Sequence, residues 1–151
     1  MSVDLKHRIQ EDMKAAMRSK DSLRLTTLRM LIAAIKQREI DEKITLDNSQ
    51  VIKVINKMIK QRHDAAEQFA NAARDELAEK ERQEIAILKH YLPEPLTAEA
   101  IEAAVKKAIM DSGAHSLKEM GKVMALLKSQ LEEGRADMRL LSEKIKELLK
   151  P

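Results

Sequence analysis

The chain has 151 residues and a net charge of +3, from 28 Lys and Arg against 25 Asp and Glu. It contains no Cys and no Trp, one Tyr and one Phe, which excludes disulfides, thiolate metal sites and cysteine nucleophiles. Its core therefore has to be built from Leu, Ile, Val, Met and Ala, which mostly favour helix. Three Gly and three Pro supply too few turns for a β fold, so the fold class is all-α.

Helical periodicity begins with Leu5, Ile9, Met13 and Met17, which predicts a first helix over residues 3–17. SKDS breaks the pattern, and Asp21 or Ser22 caps a second helix carrying Leu25, Leu28, Leu31, Ile32 and Ile35 and fading near Ile40. DEKITLDNSQ reads as a loop with Asp47 and Asn48 as capping residues. A third helix over 49–69 presents Val51, Val54, Ile55, Met58 and Ile59; NAARD interrupts, and a fourth helix runs to about His90. In YLPEPL, Pro93 and Pro95 lack amide donors and disfavour helix at Leu92 and Glu94, which marks a boundary between domains 1–92 and 93–151. Beyond it, Thr97 caps a helix with Ile101, Ala104, Val105, Ala108 and Ile109, and Gly113 ends it. Ser116 and Glu119 form a capping box opening a sixth helix, which Gly134 stops. Asp137 caps a seventh, with Leu140, Leu141, Ile145, Leu148 and Leu149. The expected architecture is an N-terminal helical unit of about four helices followed by a C-terminal three-helix bundle.

The opening MSVDLKHRIQEDMK alternates charged and apolar residues, without the uncharged apolar segment of a signal peptide. No stretch approaches the length of a membrane span. A soluble, cytoplasmic protein is the expectation. The near-balanced charge is weaker than that of most dedicated nucleic-acid binders, so any RNA contact has to come from local arrangement.

Catalytic signatures are absent: no Gly-rich phosphate loop, no nucleophile elbow, no paired His at metal spacing. His7, His63, His90 and His115 are scattered singly. No catalytic residue, no cofactor and no metal are expected. Glu81 and Glu84 fall within the apolar stripe of Leu77, Ile85, Leu88 and Tyr91, and Arg62 falls on the apolar side of the third helix. Two acids and an Arg on inward faces predict a cross-helix ion pair; a carboxylate dyad for acid–base work is the alternative, and it lacks a pocket and a partner group. Lys53, Lys57 and Lys60 lie opposite the apolar stripe of the third helix, within about 60° of arc. They read either as a phosphate-tracking row or as an ordinary solvated face.

All three glycines fall between Gly113 and Gly134. Gly113 and Gly134 are helix stops. Gly121 is not: it stands inside the sixth helix, where Gly costs about 1 kcal/mol relative to Ala. Met120, Val123, Met124, Leu127 and Leu131 form the apolar stripe of that helix. Gly121 and Ala125 lie to the side of it with Lys118 and Lys122, making a small-residue groove for either another helix of the bundle or an external backbone.

YLPEPL, GAHSLKEMGKVM and GRAD together resemble the YqeY-like family, small bacterial proteins related to the tail of the B subunit of aspartyl/glutamyl-tRNA amidotransferase. KQRHDAAEQF and LAEKERQEIAILKHYLP extend the resemblance over the whole chain. In the amidotransferase tail, Gly121, Val123 and Met124 match a Gly placed two residues before Val-Met, and Gly134, Arg135 and Ala136 match a Gly-Lys-Ala. Asp137 and Met138 replace an Asn-Pro, keeping the cap and dropping the Pro.

The resemblance implies an all-helical unit joined to a three-helix tail, and a setting in amide transfer on mischarged tRNA, where the tail contacts tRNA. It implies an accessory tRNA-associated module in which Lys118, Lys122, Arg135 and Arg139 contact phosphates. Gly121, Gly134 and Ala136 would permit close approach, and Lys53, Lys57 and Lys60 would extend the surface. The partners implied are tRNA or a protein of the translation or aminoacylation machinery, with no membrane and no metal. A protein-interaction module docking a partner helix is the alternative. A glutamine-dependent carbon–nitrogen ligase is a third reading, for which the chain lacks the kinase-like cradle and amidase chemistry.

Overall fold

The structure, a computed structural model, describes residues 4–131 and 135–149. Among these residues every regular element is helical. The chain divides into two compact units, one ending at Leu92 and one beginning at Pro93.

The first unit holds α1 (Leu5–Ser19), α2 (Ser22–Glu42), α3 (Asn48–Asn71) and α4 (Asp75–Lys89). Asp4, Asp21 and Asp47 cap the first three, each carboxylate accepting a first-turn amide that would otherwise be orphaned. At α3 the box is complete: Asp47 accepts from the Gln50 amide, and the Gln50 side chain accepts from the Asp47 amide. α1 and α2 end on left-handed Lys20 and Lys43. NAARD does interrupt, with Ala73 also left-handed at φ 58°.

α3 packs along α4 and α1 along α2, with α2 reaching both α3 and α4. Ile9, Leu28, Leu31, Val51, Ile55, Leu88 and Tyr91 are fully inside this core. Two anticipated core positions are not. Met17 is exposed and Ala16 is buried in its place: a four-residue repeat gains 40° per step over the helical turn, so by Met17 the stripe has rotated about 120° off the core. Leu77 is likewise exposed, and Ala78 faces inward.

Two polar features tie the first unit together. Arg62 Nε donates to Glu84 Oε2 at 3.0 Å across the α3–α4 contact, and its Nη1 donates to the Met58 carbonyl at 3.4 Å. The expected cross-helix ion pair therefore forms with Glu84. Glu81 is half-buried beside it, and burial, followed by the Glu84 charge, holds its carboxyl above the ordinary range. At the end of α4, the Tyr91 hydroxyl donates to Asp12 Oδ2 at 2.6 Å, and the Arg8 guanidinium lies 4.9 Å from the ring centroid. Arg8 also donates to the His90 carbonyl at 3.3 Å. This clasp fastens the residues just before Pro93 onto α1.

The second unit holds α5 (Ala98–Ser112), a single 3₁₀ turn (Leu117–Glu119), α6 (Met120–Gln130) and α7 (Met138–Leu148). Thr97 caps α5, Asp137 caps α7, and Gly113 ends α5 at φ 70°. The Ser116–Glu119 box is present, but it opens the 3₁₀ turn rather than an α-helix directly, as often happens at helix starts. α6 ends at Gln130, with Leu131 extended. The helix thus stops short of Gly134, which lies outside the described residues. Val105, Ala108, Val123, Leu127 and Ile145 are fully buried in a second core, while Leu140 points to solvent.

Candidate nucleic-acid interface

Helix geometry fixes what α6 shows to solvent. Val123 and Leu127 are buried, and Gly121 lies about 140° from the midpoint between them. A Cβ built on Gly121 meets no atom within 4 Å, so the internal neighbour considered for this glycine is absent among the described residues. Ala125 is exposed beside it.

Lys118 and Lys122 are exposed on this side. Lys128, also exposed, lies only about 20° from Gly121 along the helix. Sequence reasoning missed Lys128, although a seven-residue spacing from Gly121 was available to find it. The one acid between Lys118 and Gln130 is Glu119. Its carboxylate turns back to accept from the His115 and Ser116 amides. Those bonds, ahead of the nearby Lys122 charge, hold it below the ordinary carboxylate range. Among the described residues of α6, the side around Gly121 and Ala125 carries lysines and small residues.

Arg135 and Ala136 are placed differently. Arg135 Nε donates to the Glu94 carbonyl at 3.0 Å, and the Leu96 amide donates to the Arg135 carbonyl at 2.8 Å. These bonds stitch the segment after Pro93 to the segment before α7. Ala136 packs against the second core. Arg139 is exposed in the first turn of α7, its amide held by Asp137 at 2.8 Å.

Lys53, Lys57 and Lys60 belong to the first unit, all exposed on α3. Lys53 and Lys57 line a groove of about 630 Å³ whose other wall carries Gln37, Arg38, Asp41 and Glu42 of α2. They stand opposite Asp41 and the Arg38–Glu42 pair, and Lys60 is not among the lining residues.

Among the described residues no group of three His, Asp or Glu is arranged to hold a metal ion, and no helix is long and apolar enough to cross a membrane. Fold and surface together define an all-helical protein of two compact units, with a lysine-bordered helix face on the second. Residues 6–149 match the model of the YqeY-like protein family, and the chain belongs to that family. The resemblance carried by YLPEPL, GAHSLKEMGKVM and GRAD is thereby borne out.

Curated relatives carry the name altered inheritance of mitochondria protein 41, mitochondrial. The Candida glabrata protein is 39% identical over 88 residues, covering 57% of this chain and 48% of its own. The Lachancea thermotolerans protein is 40% identical over 106 residues, 68% of this chain and 57% of its own. The chain thus spans about half the length of these two. The Pyrenophora tritici-repentis protein is 36% identical over 146 residues, 94% of this chain and 79% of its own. These relatives are mitochondrial by name, which overturns the cytoplasmic expectation. A charged, cysteine-free helical composition is compatible with any reducing aqueous compartment, so it never carried that assignment.

Proposed function

We propose that the protein is an accessory, tRNA-associated factor whose two units act as domains 1–92 and 93–151. In this reading the second is a three-helix tail related to that of the amidotransferase B subunit, and it meets the RNA backbone. The open space over Gly121 carries the proposal. A glycine inside a helix costs about 1 kcal/mol, and packing gives this one no reason to be there. Gly121 and Ala125 leave a smooth strip on which a phosphate backbone can lie, with Lys118, Lys122 and Lys128 along it and Arg139 as the α7 contribution. Lysines without aromatics make phosphate contacts and do not stack bases, so recognition is by charge and shape. Arg135 shapes the tail by holding Glu94, and Ala136 packs within it.

Filter binding of bulk tRNA at about 50 and 200 mM salt tests the reading, because phosphate contacts release counterions and make affinity salt-dependent. Replacing Lys118 and Lys122 together by Ala should weaken low-salt binding about tenfold and flatten the salt slope by about two units. Gly121→Leu should weaken binding while leaving the fold intact. Absence of low-salt binding, or binding indifferent to all three substitutions, sinks the proposal.

A further inference from the structure

The α6 reading leaves the α3 lysines unused, and the groove they line has a chemistry of its own. Lys53, Lys57 and Gln61 form its α3 wall, and Gln37, Arg38, Asp41 and Glu42 its α2 wall, over a floor of Ala34, Val54 and Met58. The charges are unevenly compensated. Glu42 is paired with Arg38, and among the described residues Asp41 accepts only from the neutral Gln37, at 2.8 Å. Among the described residues neither Lys53 nor Lys57 has a carboxylate within ion-pair distance. With Glu42 neutralised by Arg38 on the same wall, the groove sets two uncompensated lysines on α3 against one uncompensated acid, Asp41, on α2.

That polarity selects the occupant. A phosphodiester backbone carries one sign and has no group to offer Asp41, the uncompensated acid of the groove. A polypeptide helix carries both signs on its two edges. Lys53 and Lys57 are about 6 Å apart along α3, the spacing of acidic residues four apart on a helix laid parallel to it. Val54 and Met58 are already largely covered, so charge rather than apolar burial supplies the selectivity.

We propose that the α2–α3 groove docks an amphipathic helix of a partner protein, with acidic side chains spaced four apart against Lys53 and Lys57 and a basic side chain facing Asp41. This site is separate from the α6 face and does not depend on it.

The test uses the full chain and two labelled helical peptides in fluorescence anisotropy. Both are Ala- and Leu-based with one lysine edge; one carries a Glu pair four residues apart on the other edge, and its twin carries Lys at those positions. The Glu peptide should bind in the micromolar range, about tenfold tighter than its twin, and more weakly as salt rises. The double variant Lys53→Glu, Lys57→Glu should reverse the preference. Its melting curve should match that of the native protein, since both side chains are exposed. No binding, equal binding of the two peptides, or a preference that survives the double variant overturns the proposal. Binding of tRNA that is lost in the double variant, with no binding of the Glu peptide, overturns it in favour of nucleic acid.

Discussion

Replacing Arg62 by Ala isolates the strongest polar commitment in the fold. The Arg62 and Glu84 side chains are 9% and 8% exposed, so deleting the guanidinium leaves a carboxylate in the α3–α4 contact without its cation. Breaking a buried pair from one side costs about 3–5 kcal/mol, a fifth or more of the roughly 5–15 kcal/mol that holds a domain folded. The loss should also depend on pH. Burial and the Glu84 charge raise Glu81, and Arg62 opposes them; without Arg62 the Glu81 carboxyl moves higher still. A folded-state value above the unfolded one means that the native protein holds a proton the unfolded chain has released. Stability in the variant therefore improves as pH falls from 7 toward about 5 and is lost as pH rises. Urea melts at both pH values, followed by far-UV ellipticity, should show the deficit shrinking at the lower pH. The double replacement Arg62→Leu with Glu84→Leu should stay within about 1 kcal/mol of the native protein, because it removes both charges and keeps the volume. An Arg62→Ala protein that melts within about 1 kcal/mol of native, or whose deficit is the same at both pH values, refutes the reasoning.

Gly121→Ala should stabilise the second unit by about 1 kcal/mol, since the added methyl enters open space on a regular helix; a lowered urea midpoint would mean that a neighbour does approach. Ala73→Gly should raise stability by about 1 kcal/mol, because Ala73 sits at φ 58° where a Cβ is strained, and thermal melts will show whether it does. Tyr91→Phe removes the 2.6 Å bond to Asp12 and should cost about 1.5 kcal/mol in a urea titration. In the native protein burial, followed by the Asp12 bond, pushes the Tyr91 hydroxyl above its ordinary value of 10.0. Its contribution is thus complete below pH 10 and declines above it; the Tyr91→Phe penalty should shrink accordingly between pH 9 and pH 11.

What could be read from the sequence was local. Asp21, Asp47, Thr97, Ser116 with Glu119, and Asp137 each announce a helix start within four residues, and each does begin a helical turn. The inward Arg62 and Glu84 were legible because charges on an apolar stripe have to find one another. Positions at the edge of a stripe were less secure. Leu77 against Ala78 and Met17 against Ala16 turn on a rotation of one residue, and tertiary packing prefers the smaller side chain where two helices run close. Contacts between distant residues left no mark in the sequence. Tyr91 and Asp12 are 79 positions apart, and the bond from Arg135 to Glu94 spans 41. On the candidate face, the lysines beside Gly121 were visible from spacing, but the surroundings of Gly121 were not, because an internal and an external neighbour leave the same pattern.

The distribution of aromatic residues makes the two units spectroscopically unequal. Phe69 and Tyr91 both lie in the first, and there is no other Phe, Tyr or Trp in the chain. A carboxylate acceptor quenches tyrosine emission, so Tyr91, bonded to Asp12 when folded, should brighten when the first unit opens. The second unit contributes nothing to that signal, yet its helices contribute fully to ellipticity. Recording both signals on the intact chain therefore follows each unit separately: where the fluorescence and ellipticity curves part, the difference is the unfolding of residues 93–151.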